Sequence, residues 1–199
     1  ILSDEGKIIL LHGGAIKLKK SSKEVPVISK KFMNVKFKER IAKYASSLVQ
    51  NGETIYIDSG TTTELMIKDL KNKDITIVTT NIQIVNQLED TKFECILIGG
   101  EIIKNLGSAV GPLTDRLLSE FHYNRAFIGA NGYSEMNGIS TYDLREANKK
   151  KIVKMNSDNV YVLLDSSKIG TNAVCKVFEI KDVLLITDKM NDILKKYDN

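Results

Sequence analysis

Along the chain, short runs of β-branched and aromatic residues alternate with longer stretches whose apolar residues recur at helical spacing. Strand-like runs fall at 54–57, 75–78, 93–98, 125–128, 160–164 and 183–186. Helical patterns lie at 34–50, 61–70, 81–89, 112–121 and 143–156. In the first of these helices Ile41, Ala45, Leu48 and Val49 share one face and Gly52 follows its end; Pro112 suits the first turn of another. Strands alternating with helices predict βαβ units, hence an α/β fold with a mostly parallel sheet covered by helices on both faces. Before them, residues 7–18 read as strand interrupted by His12-Gly13-Gly14, and residues 19–24 as a polar link.

The strand ends carry the chemistry. They close as "DSGTTT", "VTTN", "LIGG", "FIGANG", "LLDSSK" and "LITD". Small and hydroxyl-bearing residues there leave room and supply donors where open α/β sheets bind ligands, beyond the carboxyl ends of the strands. The first end is the most suggestive. Asp58, Ser59 and Gly60 link a buried strand to a helix predicted over 61–70, with Thr61, Thr62 and Thr63 as natural N-caps. Free N–H groups, the helix dipole and several hydroxyls converging on one loop favour an anion. Lys168, a few residues past another strand end, is placed to reach over the sheet edge toward a phosphate. Glu146, in the first turn of a helix, sits where it can accept hydrogen bonds from sugar hydroxyls or merely favour the helix dipole.

Composition narrows the field only moderately. The 199 residues are 42% hydrophobic and 27% charged, a globular balance sufficient for one sizeable core. No apolar run approaches the ~20 residues of a membrane span, so no membrane partner is expected. Cys95 and Cys175 lack metal-like spacing and read as reduced core residues of a cytoplasmic protein. The two histidines, His12 and His122, have no second ligand at zinc spacing. No P-loop, Gly-x-Gly-x-x-Gly fingerprint or Gly-x-Ser-x-Gly elbow occurs, and no cofactor is expected. The net charge of +4 is uneven: residues 1–43 hold eleven Lys and Arg against four Asp and Glu, whereas the remainder is mildly acidic. A basic N-terminal end places any contact with nucleic acid at or before that end.

Together, "LLHGGAI", "IDSGTTT", "IVTTN", "LIGGEI", "FIGANG", "LREANKKKIV", "LLDSSKIG" and "LITD" resemble, in order, the DeoR family of bacterial transcriptional regulators over about residues 10–190. The resemblance implies the effector-sensing, oligomerising C-terminal domain of a regulator of sugar metabolism genes, similar in fold to ribose-5-phosphate isomerase. It implies residues 1–32 as the remnant of a winged helix-turn-helix domain and linker, and 33–199 as the sensor domain. The first residue is Ile rather than Met, as expected of a cut through a longer protein, and operator DNA would be bound through the missing N-terminal domain. The other implied partners are a phosphorylated sugar and further copies of the chain. Asp58, Ser59, Gly60, Thr61, Thr62 and Thr63 would form the phosphate end of the site. Thr79, Thr80, Asn81, Gly99, Gly100, Gly129, Ala130, Asn131, Gly132, Glu146 and Lys168 would line the rest.

The departures bear on catalysis. The isomerases carry a Gly-Ala-Asp-Glu motif where this chain has Gly129-Ala130-Asn131-Gly132, and a lysine before a glycine run where it has Met136-Asn137-Gly138. Glu146 stands at the position of the isomerase general base without its proton-shuttling partners. The expectation is a sensor that binds and does not convert; the alternative is an enzyme of sugar-phosphate isomerase or CoA-transferase type.

Overall fold

The computed structural model describes residues 24–197 and the backbone of 8–11 and 14–17. His12 and Gly13 of the expected opening strand lie outside the described residues. On either side of them, β1 (Ile8–Leu11) and β2 (Gly14–Lys17) pair antiparallel. A short helix, α1 (Val27–Lys31), leads through Asn34, in the left-handed conformation, into α2 (Val35–Ser47).

The body is a six-stranded sheet in which every neighbouring pair runs parallel. Its strands are β3 (Thr54–Ile57), β4 (Thr76–Thr79), β5 (Glu94–Leu97), β8 (Tyr123–Gly129), β11 (Ser157–Leu163) and β13 (Leu184–Ile186). The spatial order is β13-β11-β8-β3-β4-β5. The chain therefore winds outward from β3 in one direction, then returns to β8 and winds in the other. The point of reversal lies between β3 and β8, where diverging connections leave a crevice beyond the carboxyl ends.

Alternation along the strands divides the core in two. Ile55, Ile57, Ile77, Phe127, Tyr161 and Leu163 face α2 and α3 (Ile67–Leu70); Tyr56, Val78, Ala126, Ile128, Val160 and Val162 face the other way. The second face is covered by α4 (Pro112–Ser119) and α5 (Leu144–Met155), with Leu118, Ala147 and Val153 fully buried. Central strands buried on both faces are the continuous apolar runs that parallel sheets require. Cys95 and Cys175 are half-buried free thiols at the margins of these cores rather than core residues, and burial pushes the Cys95 thiol up.

Two smaller sheets were not expected from the pattern: the hairpin β6 (Glu101–Ile103) with β7 (Ser108–Val110), and the trio of β9 (Gly132–Ser134), β10 (Gly138–Thr141) and β12 (Cys175–Phe178). Their strands span three or four residues, too few to display an alternation. Two expected helices are shorter and tighter. Residues 82–87 form a 3₁₀ segment capped by Asn81, whose side chain accepts from the Gln83 N–H. Over 61–70 the helix begins only at Glu64, as a 3₁₀ turn followed by α3. Thr63 holds the N-cap position, but its side chain makes no capping bond: the hydroxyl donates backward, to the Asp58 carbonyl at 2.7 Å and the Gly60 carbonyl at 3.0 Å. That bond folds residues 58–63 into a compact loop in place of a first helical turn. No helix among the described residues is long and apolar enough to cross a membrane.

Candidate functional site

A cavity of about 50 Å³ lies at the reversal point. Ser59, Gly60, Thr61 and Thr62 reach it from the end of β3, Gly129, Ala130 and Asn131 from the end of β8, and Lys168 from beyond β11. Glu146 and Lys150 enter from α5, and Glu24, Val27 and Lys30 close it from the segment ahead of α2. Among the described residues, none of the five backbone N–H groups of residues 59–63 donates to another protein group, while Asp58 N–H bonds Phe127 and Glu64 N–H bonds Gly60. Thr61 and Thr62 are largely buried residues that line the cavity. Because α3 is a single turn, little macrodipole backs this loop; the donors themselves are what it offers.

Beneath the loop lies a buried charge network. Lys150 donates to Asp58 and, at 3.1 Å, to Glu146. Lys149 donates to Glu146 at 2.8 Å, Ser108 at 2.7 Å and Thr80 at 3.0 Å, and lies 3.7 Å from Asp58. Helical spacing explains why one acid and two lysines from α5 converge: residues three and four apart share a face. Asp58 is further tied down by the Gly129 N–H at 3.1 Å and by Tyr56, whose hydroxyl lies 3.3 Å away. Burial alone would raise the Glu146 carboxyl, but the Lys149 and Lys150 ammonium groups and the hydrogen bonds from Lys149 and Ser108 win and hold it at about 2. Burial likewise disfavours the Lys150 ammonium, yet Asp58 and Glu146 hold its pKa above the ordinary lysine value.

The Lys168 ammonium lies 3.2 Å from the Ala130 carbonyl and 3.5 Å from Asp165. Burial lowers the Lys30 pKa, Glu24 opposes that shift, and the Lys168 and Lys150 charges add to the lowering. Burial also pushes Lys38, whose ammonium donates to the Lys30 carbonyl, down to about 8. The cavity is thus walled by cations as well as by unpaired N–H groups.

Of the residues singled out in the sequence, the structure gathers Ser59, Gly60, Thr61, Thr62, Gly129, Ala130, Asn131, Glu146 and Lys168 at the cavity. Asp58, Thr63, Thr79, Thr80 and Asn81 stand behind its wall: Thr79 bonds the Ile57 carbonyl, and Thr80 meets Ser59, Tyr56 and Lys149. Gly99 and Gly100 lie outside it. A Cβ on Gly100 would come within 2.0 Å of the Thr114 hydroxyl, so close packing on α4 accounts for that glycine. Gly132 also lies outside, where a Cβ would stand 2.5 Å from the Thr171 carbonyl. Glu24, Lys30, Lys149 and Lys150 went unread. "ANKKKIV" does contain the signal, since Glu146 stands three and four residues before two of its lysines, but lysine runs ordinarily signal a solvated face. Lys151 keeps that habit and is exposed, whereas Lys149 and Lys150 are buried. His122 is exposed beside Asp158 at 3.0 Å, away from the cavity.

Fold and cavity together define an α/β domain with a small polar cavity at the topological switch point of a parallel sheet. Residues 33–189 match the model of the DeoR C terminal sensor domain, and the chain belongs to the DeoR family of transcriptional regulators. The chain is 33% identical over 183 residues to the glycerol-3-phosphate regulon repressor of Escherichia coli (strain K12), covering 90% of this chain and 72% of that protein. It is 30% identical over 202 residues to the lactose phosphotransferase system repressor of Staphylococcus epidermidis (strain ATCC 35984), covering 98% and 79%. Its fold resembles that of ribose 5-phosphate isomerase A from Methanocaldococcus jannaschii, with a TM-score of 0.50 and 22% identity over 68% of this chain and 55% of that one.

Proposed function

We propose that this chain is the effector-sensing and oligomerising domain of a cytoplasmic repressor of sugar metabolism genes, and that its cavity binds a phosphorylated sugar without converting it. One observation carries the reading: the run of N–H groups at 59–63 without acceptors among the described residues, beside the ammonium groups of Lys150 and Lys168. Backbone donors and lysines around one small volume suit the oxygens and charge of a phosphate. The names of the two repressor relatives, one of a glycerol-3-phosphate regulon and one of a lactose phosphotransferase system, support the same ligand class. Residues 1–32 are read as the tail and linker of the DNA-binding domain, through which operator DNA would be bound. Exposed Phe32, Met33, Val35 and Phe37 ahead of and within α2 support self-association.

The chemistry of Glu146 favours a sensor over an isomerase. A general base works best with a pKa near the operating pH, and a carboxylate held at about 2 by two lysines is a weak one. Asn131 cannot ionise, and Met136 and Asn137 form the turn between β9 and β10 away from the cavity. The test is to incubate the purified chain with ribose 5-phosphate and with hexose phosphates and follow ketose formation alongside binding. Binding with a flat turnover trace is expected; turnover at ordinary enzyme rates, abolished by Glu146→Gln, would overturn the regulator reading.

A further inference from the structure

The cavity is smaller than its proposed ligand. About 50 Å³ holds a few water molecules, whereas small-molecule pockets run to several hundred. What fills the difference is visible. Three of the wall residues, Glu24, Val27 and Lys30, precede the segment matched by the sensor-domain model, which begins at residue 33. The Glu24 carboxylate lies within the wall, accepting from the Lys30 ammonium at 2.5 Å and from the Asn131 amide at 2.9 Å. Asn131 is held in this orientation by Thr141, whose hydroxyl donates to its Oδ1 at 2.8 Å. Val27 is buried and its N–H bonds the Asn105 carbonyl at 3.1 Å, pinning the segment across the mouth.

We infer that Glu24 is an internal anion occupying the pocket in place of ligand, and that an incoming phosphate displaces Glu24 together with residues 24–31. This inference rests on the proposed sugar-phosphate site and adds how that site is gated. Charge matching supports it. Around the cavity five lysines (Lys30, Lys38, Lys149, Lys150 and Lys168) face four carboxylates: Glu24, Asp58, Glu146 and Asp165. Asp58 and Glu146 are locked to Lys149 and Lys150 inside the fold, and Asp165 pairs with Lys168 and with Asn34. Glu24 is the one carboxylate carried by a short segment outside the sheet. Lys30 leaves with the same segment, so the displacement leaves four lysines facing three carboxylates, one positive charge in excess for an incoming phosphate. It also frees the Asn131 amide to donate to the ligand. Because residues 24–31 lead toward the N-terminus, pocket occupancy would be passed to whatever precedes them as release of this segment.

The test uses the 199-residue chain with inorganic phosphate and ribose 5-phosphate as probes, read by calorimetric titration and by amide hydrogen exchange of residues 24–33. Glu24→Gln keeps an acceptor for Asn131 and removes the competing charge, so both probes should bind about tenfold or more tighter than to the unmodified chain. Glu89→Gln, an exposed carboxylate elsewhere, should change nothing. In the unmodified chain, probe binding should speed exchange at Val27 and its neighbours. Equal or weaker affinity in Glu24→Gln, or increased protection of residues 24–33, would overturn the displacement while leaving the binding site standing. Failure of both probes to bind either form would overturn the proposed site, and this inference with it.

Discussion

The Lys150 ammonium on α5 is hydrogen bonded to the Asp58 carboxylate at the end of β3, although 92 residues separate them in the chain. Both groups are buried, and the bond ties the loop that presents the unpaired N–H groups to the helix that presents Glu146. A phosphate-sized site needs those two elements at fixed separation, and a buried ion pair fixes it more sharply than apolar packing, which tolerates sliding. The cost is that neither partner can be lost alone.

Lys150→Met or Asp58→Asn should therefore each destabilise the domain by about 3–5 kcal/mol, because each strands a buried charge. The combined variant should cost clearly less than the two added together, since it removes both charges. Urea denaturation of the four proteins measures the coupling. Strict additivity would show that the pair does not act as a unit.

Acid should act through the same network. The folded-state Glu146 pKa lies below its unfolded value, so the unfolded chain binds the extra proton between the two. Stability from this group is complete above about pH 5 and is lost as pH falls toward 2. The loss from this residue should be on the order of 2–3 kcal/mol. Glu146→Gln should be less stable at neutral pH and should show a shallower acid limb in thermal melts taken from pH 6 to pH 3.

Much of this architecture is legible in the sequence, and the reasons differ by element. The parallel sheet was readable because runs such as Ile55-Tyr56-Ile57 and Val160-Tyr161-Val162 are apolar on both faces, which only a doubly covered sheet accommodates. The hydroxyl and backbone donors of the loop at 58–63 were legible from residue type alone, yet its geometry was not. Thr63 uses its hydroxyl as a donor to Asp58 and Gly60, so the helix starts later than the capping pattern suggests. Glycine was ambiguous in a different way. Gly129 lies at the cavity, while Gly100 and Gly132 are glycines because Thr114 and the Thr171 carbonyl occupy the space a Cβ would take. Glu24 was invisible, since nothing local marks an acid in a polar linker as the partner of an asparagine 107 residues away.

The donors around the cavity should not count equally toward binding. Thr61 and Lys168 line it, and Thr61→Ala or Lys168→Ala should each weaken a bound sugar phosphate by about 1–3 kcal/mol. Lys168 is partly exposed but pairs with the buried Asp165 carboxylate, so its removal should also lower the melting temperature, by less than loss of Lys150 does. Thr63→Ala, by contrast, should act on stability first, through loss of the bonds that shape the loop. Paired titrations and melts on the three variants separate these effects.

The most direct measurement is a calorimetric titration of the unmodified chain with matched pairs, ribose against ribose 5-phosphate and glucose against glucose 6-phosphate. The N–H groups of residues 59–63, without protein acceptors among the described residues, and the ammonium groups of Lys150 and Lys168 bond a charged phosphate more strongly than an uncharged sugar. At least one phosphorylated member should bind saturably, with its free sugar weaker by about a hundredfold or undetectable, as loss of one or two charged hydrogen bonds requires. Equal affinity for a sugar and its phosphate would contradict the assignment of this cavity as a phosphate-dependent sensor.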